Sequence, residues 1–82
     1  MNTEVIAVEI LRQCVARAPT RSICPSEVAR ALGPDDWRAH MVQVRATGLQ
    51  LALQGQILIT QRGEVQPPTA VIRGAIRYRL PT

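Results

Sequence analysis

One stretch, Cys24–Gln54 (CPSEVARALGPDDWRAHMVQVRATGLQLALQ), limits the possible folds more than any other. It contains two helix patterns separated by Gly33-Pro34. Pro25 suits the first position of a helix, where its missing N–H costs nothing. Val28 and Leu32 form the inward pair of that helix, with Ala29 and Ala31 beside them. Gly33 and Pro34 end it. Asp35 or Asp36 then caps a longer helix from Trp37 to about Gln54, which Gly55 closes. A short helix, a tight turn and a long amphipathic helix make a helix-turn-helix unit. The rest of the chain must pack against that unit and extend it.

Before it, Thr3 can cap a helix running to about Arg17, with Glu4 placed well at its positive end. At 100° per residue, Ala7, Ile10, Leu11, Cys14, Val15 and Ala18 gather on one side. Pro19 stops this helix. Arg21-Ser22-Ile23 can form a short strand. After it, Ile57-Leu58-Ile59-Thr60 is apolar and β-branched, and is expected to be a strand. Gln61-Arg62-Gly63-Glu64 is a turn signal, and Val65–Thr69, with two prolines, is expected to be extended loop. Ile76–Leu80 alternates strictly, with Ile76, Tyr78 and Leu80 inward and Arg77 and Arg79 outward. The order is helix, short strand, helix, helix, strand, long loop, strand. It predicts a mainly α fold with a small β-hairpin, a winged helix-turn-helix. The roughly 15 residues between Thr60 and Ile76 would be the wing of this three-helix bundle.

Length and composition set the outer bounds. The 82 residues form one domain, 1–82, with a small core. At 46% hydrophobic and 20% charged, the chain is globular in composition. No apolar run approaches the ~20 residues of a membrane span. The opening MNTEVIAVEIL carries Glu4 and Glu9 and no basic leader, so no signal peptide is expected and the expected compartment is the cytoplasm. With no Phe, one Trp and one Tyr, the core is aliphatic and aromatic base-stacking platforms are excluded.

The charge is uneven. Residues 1–36 carry four Arg against five acids, and residues 37–82 carry six Arg against one Glu. A basic half is the electrostatic footprint of a nucleic-acid binder. An Arg-rich, Lys-free composition is equally what a GC-rich coding sequence produces.

The motifs CPSEVARAL, DWR, M-x-x-V-R, a strand ending I-T-x-x-G and a late R-G-x-I-R together resemble a family of small uncharacterised bacterial proteins. That family is known only as a domain of unknown function and is expected to be winged-helix. The resemblance covers roughly residues 5–80. It implies a fold and a bacterial origin, and no reaction or ligand. Ala75 stands where the pattern has Pro, and Gly48 where it has Ala. Gly48 costs the helix roughly 1 kcal/mol unless it permits close packing.

On the long helix, Trp37, Met41, Val44, Gly48 and Leu51 are expected to face the core. Val42, Leu49 and Leu53 form a second apolar group. Arg38 and Arg45 lie between the two groups, where an Arg packs its stem and pairs its head. Glu27, or the Asp35-Asp36 turn, would pair with them, and direct phosphate contact is the alternative. The remaining face holds Ala39, Gln43, Ala46, Thr47, Gln50 and Gln54. In a helix-turn-helix this face enters the major groove, where Gln pairs with adenine and Thr meets the thymine methyl. An ordinary solvated face uses the same residues. The candidate nucleic-acid contacts are therefore Gln43, Thr47 and Gln50 for bases and Arg62, Arg73, Arg77 and Arg79 for phosphates. The candidate structural ion pairs join Glu27 to Arg38 and Arg45.

Cys24 begins a helix, where a thiol is activated, but no His or second Cys adjoins it, so capping or packing is expected. Cys14 is expected in the core. Cys14, Cys24 and His40 lack metal-site spacing, so no metal and no cofactor are expected. No nucleophile–base pair, paired carboxylates or phosphate-cradling loop points to an enzyme. The expected function is double-stranded DNA binding by a small regulator or accessory factor. The alternative is a protein-interaction module, for a partner or a second copy, built on the same scaffold. No membrane association is expected.

Overall fold

The computed structural model describes residues 1–69 and 72–81. Among them lie three α-helices and one three-stranded antiparallel sheet. Helix α1 spans Thr3–Arg17, α2 Pro25–Leu32 and α3 Met41–Leu53; the strands are β1 Leu58–Gln61, β2 Glu64–Gln66 and β3 Arg77–Arg79. The fold is mainly helical with a small hairpin-bearing sheet.

The helix ends follow local chemistry. Asn2, not Thr3, caps α1: its side-chain oxygen accepts from the Glu4 N–H at 2.7 Å. Pro25 occupies the first turn of α2 and is buried there. A 3₁₀ turn, Trp37–His40, precedes α3, so the long helix starts four residues later than its pattern suggests. Asp36 bonds the His40 ring at 3.1 Å and makes no side-chain cap. At the far end the Gln56 N–H reaches the Leu51 carbonyl and the Gly55 N–H reaches that of Ala52. Gly55 adopts φ +75°, which completes a Schellman motif.

The segment expected as extended loop folds back first. Arg62 and Gly63 both take positive φ, 54° and 81°, the geometry of a two-residue hairpin turn. Glu64–Gln66 then pairs with β1, with Gln61 opposite Glu64 and Ile59 opposite Gln66. Ala70 and Val71, in the rest of that expected loop, lie outside the described residues, as does Thr82. The chain returns as β3 on the other edge of β1, giving the order β2-β1-β3. Ile23, expected within a short strand, adds a single bridge to Tyr78, with both backbone bonds at 2.8 Å.

The core joins Ile6, Ile10 and Cys14 of α1, Val28 and Ala29 of α2, Val44 and Leu51 of α3, and Ile57, Ile59, Ile76 and Tyr78 of the sheet side. Val15, expected inward, is exposed, and Ile6 takes part in the core instead. The expected alternation holds over its first three residues, with Ile76 and Tyr78 buried and Arg77 exposed, while Arg79 and Leu80 are both half-buried. Among the described residues Tyr78 is the largest fully buried side chain. It lies against Gly48 so closely that a Cβ there would overlap the ring and hydroxyl. Gly48 therefore lets the sheet approach α3 and offsets its low helix propensity through that packing. Among the described residues, no helix is long and apolar enough to cross a membrane.

Candidate nucleic-acid interface

On α3 the buried stripe is Val44, Thr47, Gly48 and Leu51, spaced i, i+3, i+4, i+7. Thr47 thus belongs to the core face, which corrects its assignment as a base contact. It is only 4% exposed, and its hydroxyl donates to the Gln43 carbonyl at 2.8 Å. That local bond satisfies the one polar atom that could have kept it outside. Gln43 is half-buried, its amide donating to the Met1 carbonyl at 2.6 Å, which ties the start of α1 to α3. Gln50 alone of the three is free and exposed. The exposed residues of α3 are Val42, Ala46, Gln50 and Leu53, with Leu49 half-buried beside them, so the outward face is mainly apolar.

The ion pairing is also different from the expectation. Glu27 pairs with Arg17 at 2.6 Å, not with Arg38 or Arg45. Its second oxygen accepts from the Cys24 N–H at 2.7 Å, which caps α2 from inside its first turn. Burial pushes the Glu27 pKa up, but the Cys24 N–H and the Arg17 guanidinium outweigh it and hold the carboxyl below its ordinary value. Arg38 stacks on one side of the Trp37 ring system with Arg30 also in range, each 4.3 Å from the centroid. Arg45 donates to the carbonyls of Ile72 and Gly74, both at 3.0 Å, and so fastens α3 to the segment entering β3. Among the described residues neither Arg38 nor Arg45 makes an ion pair.

Of the four sheet arginines, three come together. Arg62 at the hairpin turn, Arg73 and Arg77 line one open recess of about 350 Å³, with Thr60, Gln61 and Gly74 between them. Arg77 is oriented by Ser22: its Nε donates to the hydroxyl at 2.6 Å and its Nη2 to the carbonyl at 2.9 Å. The Gln61 amide donates to the Arg73 carbonyl at 2.5 Å, which holds Arg73 beside the turn. Arg79 is half-buried opposite Leu58 and does not line the recess. Cys24 touches its rim, with the Ser26 hydroxyl 3.1 Å from its sulfur. Chemically, the recess offers guanidinium donors to an anion.

Ser22 and Gln61 are supporting residues that sequence reasoning missed, and for Arg45 it named a structural role with the wrong partner. Their partners lie 55, 12 and 27–29 residues away, and no local pattern signals such bonds.

Comparison with known proteins adds a family and nothing finer. The chain matches no curated protein. A family model matches residues 3–81, nearly the whole chain, and the protein belongs to the family described as Protein of unknown function (DUF3253).

Proposed function

We propose that the chain is a winged-helix module that binds the phosphate backbone of double-stranded DNA through its sheet-side arginines, as a small cytoplasmic accessory factor or regulator. The carrying observation is the convergence of Arg62, Arg73 and Arg77 on one recess. Three arginines on one recess, with the Arg77 guanidinium held by Ser22 and the Arg73 backbone held by Gln61, suit phosphate better than a solvated strand face does. Arg62 adds a second argument. It occupies a left-handed turn position, φ 54°, that costs a residue with a Cβ about 1–2 kcal/mol and that Asn or Gly takes more cheaply. A charge kept at a strained position is a mark of use.

The binding expected is insensitive to sequence, because the outward face of α3 presents few groups to base edges. Fluorescence anisotropy with duplexes of unrelated sequence tests this. Three phosphate contacts per chain give a log–log salt slope of about −2.7, or a loss of about 40-fold between 50 and 200 mM salt. Arg62→Asn is expected to lower the slope to about −1.8 and, at the same time, to raise the melting temperature. Absence of duplex binding at ~50 mM salt ends this reading.

The apolar outward face of α3 favours a second reading, a protein-interaction module on the same scaffold that does not bind nucleic acid. Val42 is 82% exposed and Leu53 49% exposed on a helix that could have carried polar residues there. The same titration separates the two readings.

A further inference from the structure

Along α3, Val42, Ala46, Leu49 and Leu53 follow one another at spacings of four, three and four. That is the d-a-d-a rhythm of a coiled-coil seam. The seam lies opposite the buried stripe Val44, Thr47, Gly48 and Leu51; Val42, Ala46 and Leu53 are exposed, and Leu49 is half-buried, its inner side packed against the core. We propose that it is a dimer interface, in which two copies of this chain pair α3 against α3, antiparallel, about a twofold axis that runs between the two helices at the height of the Thr47–Gly48 peptide.

Charge permits a second copy at this face. The chain carries net +4, so two copies repel one another over most of their surfaces. The seam is the exception. One flank is Gln43 and Gln50, both neutral. The other is Ala52 and Arg45, whose guanidinium is already committed to the Ile72 and Gly74 carbonyls. Size points to the antiparallel arrangement. In that register Ala46 faces the partner's Leu49, and Val42 faces the partner's Leu53, so a smaller side chain meets a larger one at each layer. Gln43 faces the partner's Gln50, and Arg45 faces the partner's Ala52, so no cation opposes a cation. Parallel pairing would set Ala46 against the partner's Ala46 and leave a gap beside two opposed leucines.

A recess of about 300 Å³ adjoins the Arg45 side of the seam, lined in part by Leu49, Ile59, Ile72 and Ile76. The partner's Leu49 and Ala52 close over it. In an antiparallel pair the two Arg45 rows fall on the same side of the dimer. Both Ile72–Ile76 segments, and the arginines they carry, therefore emerge on one face, and the two Met1–Gln43 contacts on the other. The seam covers only three to four helical turns and by itself buries less than the ~800 Å² per partner of a standard interface, so the dimer is expected to be weak and reversible.

The inference takes from the protein-interaction reading only its choice of surface and is independent of DNA binding, because a chain that ignores DNA can still dimerise and the reverse. Sedimentation equilibrium of the full chain tests it. The average mass is expected to rise from 9.0 kDa toward twice that value as concentration increases from about 5 to 500 μM. Ala46→Glu, at an exposed position, is expected to keep the circular dichroism and melting temperature while holding the mass at one chain. Charge swaps test the register. Gln43→Arg with Gln50→Glu creates two cross-helix pairs and tightens the dimer about fivefold, whereas Gln43→Arg with Gln50→Arg weakens it. A wild-type monomer at every concentration overturns the proposal, as does a dimer indifferent to Ala46→Glu. Equal affinities for the two charge swaps overturn the antiparallel pairing. In any of these cases another molecule, or solvent, covers the face.

Discussion

Gly48→Ala is a substitution for which helix propensity and packing predict opposite signs. In the interior of an exposed helix it would stabilise by roughly 1 kcal/mol. At this position the new methyl would overlap the hydroxyl and the end of the Tyr78 ring. Tyr78 has little means of retreat. It is fully buried, and its backbone N–H and C=O are both bonded to Ile23 at 2.8 Å. It also sits opposite Ile59 in the sheet. Overpacking of this severity belongs at the upper end of its usual range, about 3 kcal/mol. The net expectation is a loss of about 2 kcal/mol, or roughly 10 °C in melting temperature for a domain of this size. Thermal unfolding followed by circular dichroism reads it directly. The same change in a Tyr78→Phe background, where the nearest atom is gone, is expected to cost at least ~0.5 kcal/mol less. If Gly48→Ala raises the melting temperature, or costs the same in both backgrounds, then the Gly48–Tyr78 contact does not set the approach of the sheet to α3.

Tyr78→Phe alone is expected to stabilise by about 1 kcal/mol, because the phenol oxygen is buried without a hydrogen-bond partner among the described residues and its hydration is recovered only on unfolding; urea melts check this. Glu27→Gln is expected to destabilise by about 1 kcal/mol at neutral pH, the size of a lost helix cap. Since the folded pKa of Glu27 lies below its unfolded value, its contribution is complete above the unfolded pKa and fades as pH falls through the folded one, so the gap between wild type and Glu27→Gln should begin to narrow at the ordinary Glu pKa of about 4.3 and go on closing as pH falls further. Cys14 is fully buried and burial pushes its thiol up to about 11, so a thiol reagent at pH 8 should label Cys24 in the native protein and both cysteines only in denaturant.

Much of the fold was legible in the sequence, because its punctuation is local. Pro25, Gly33-Pro34 and Gly55 act within a turn of where they stand, and the alternation from Ile76 to Leu80 marks its own faces. Strand β2 was not legible, since Glu64–Gln66 runs into two prolines and has no strand pattern of its own. It exists because the Arg62-Gly63 turn reverses the chain onto β1, a pairing that three residues cannot announce. The site was half legible. The basic character of residues 62–77 was visible, but not which arginines converge, because Ser22 orients the Arg77 head and Gln61 holds the Arg73 backbone from across the fold. The Glu27 partner was misjudged for the same reason: Arg17 meets it where α1 and α2 pack together, ten residues apart in the chain. On α3, polarity misled where geometry decided. Thr47 is inside because Gln43 offers its hydroxyl a carbonyl one turn back, while Val42 and Leu53 remain outside.

This inversion of α3 assigns the two proposed activities to different surfaces, and that separation is testable. If α3 carries association and the sheet side carries charge, a duplex long enough for two copies should be bound cooperatively by the wild type. The two recesses of one dimer would then displace about six counterions together, with a salt slope near −5.4 per pair. Ala46→Glu leaves Arg62, Arg73 and Arg77 untouched. It is expected to bind the same duplex without cooperativity, with a slope near −2.7 per chain and weaker overall, because the second contact is no longer intramolecular. A groove-reading α3 predicts something else. There, a glutamate placed in the middle of the helix would repel phosphate and abolish binding at every duplex length. Titrating wild type and Ala46→Glu against a duplex with room for one copy decides between them: equal affinities support separate surfaces, and loss of binding by the variant returns α3 to the groove.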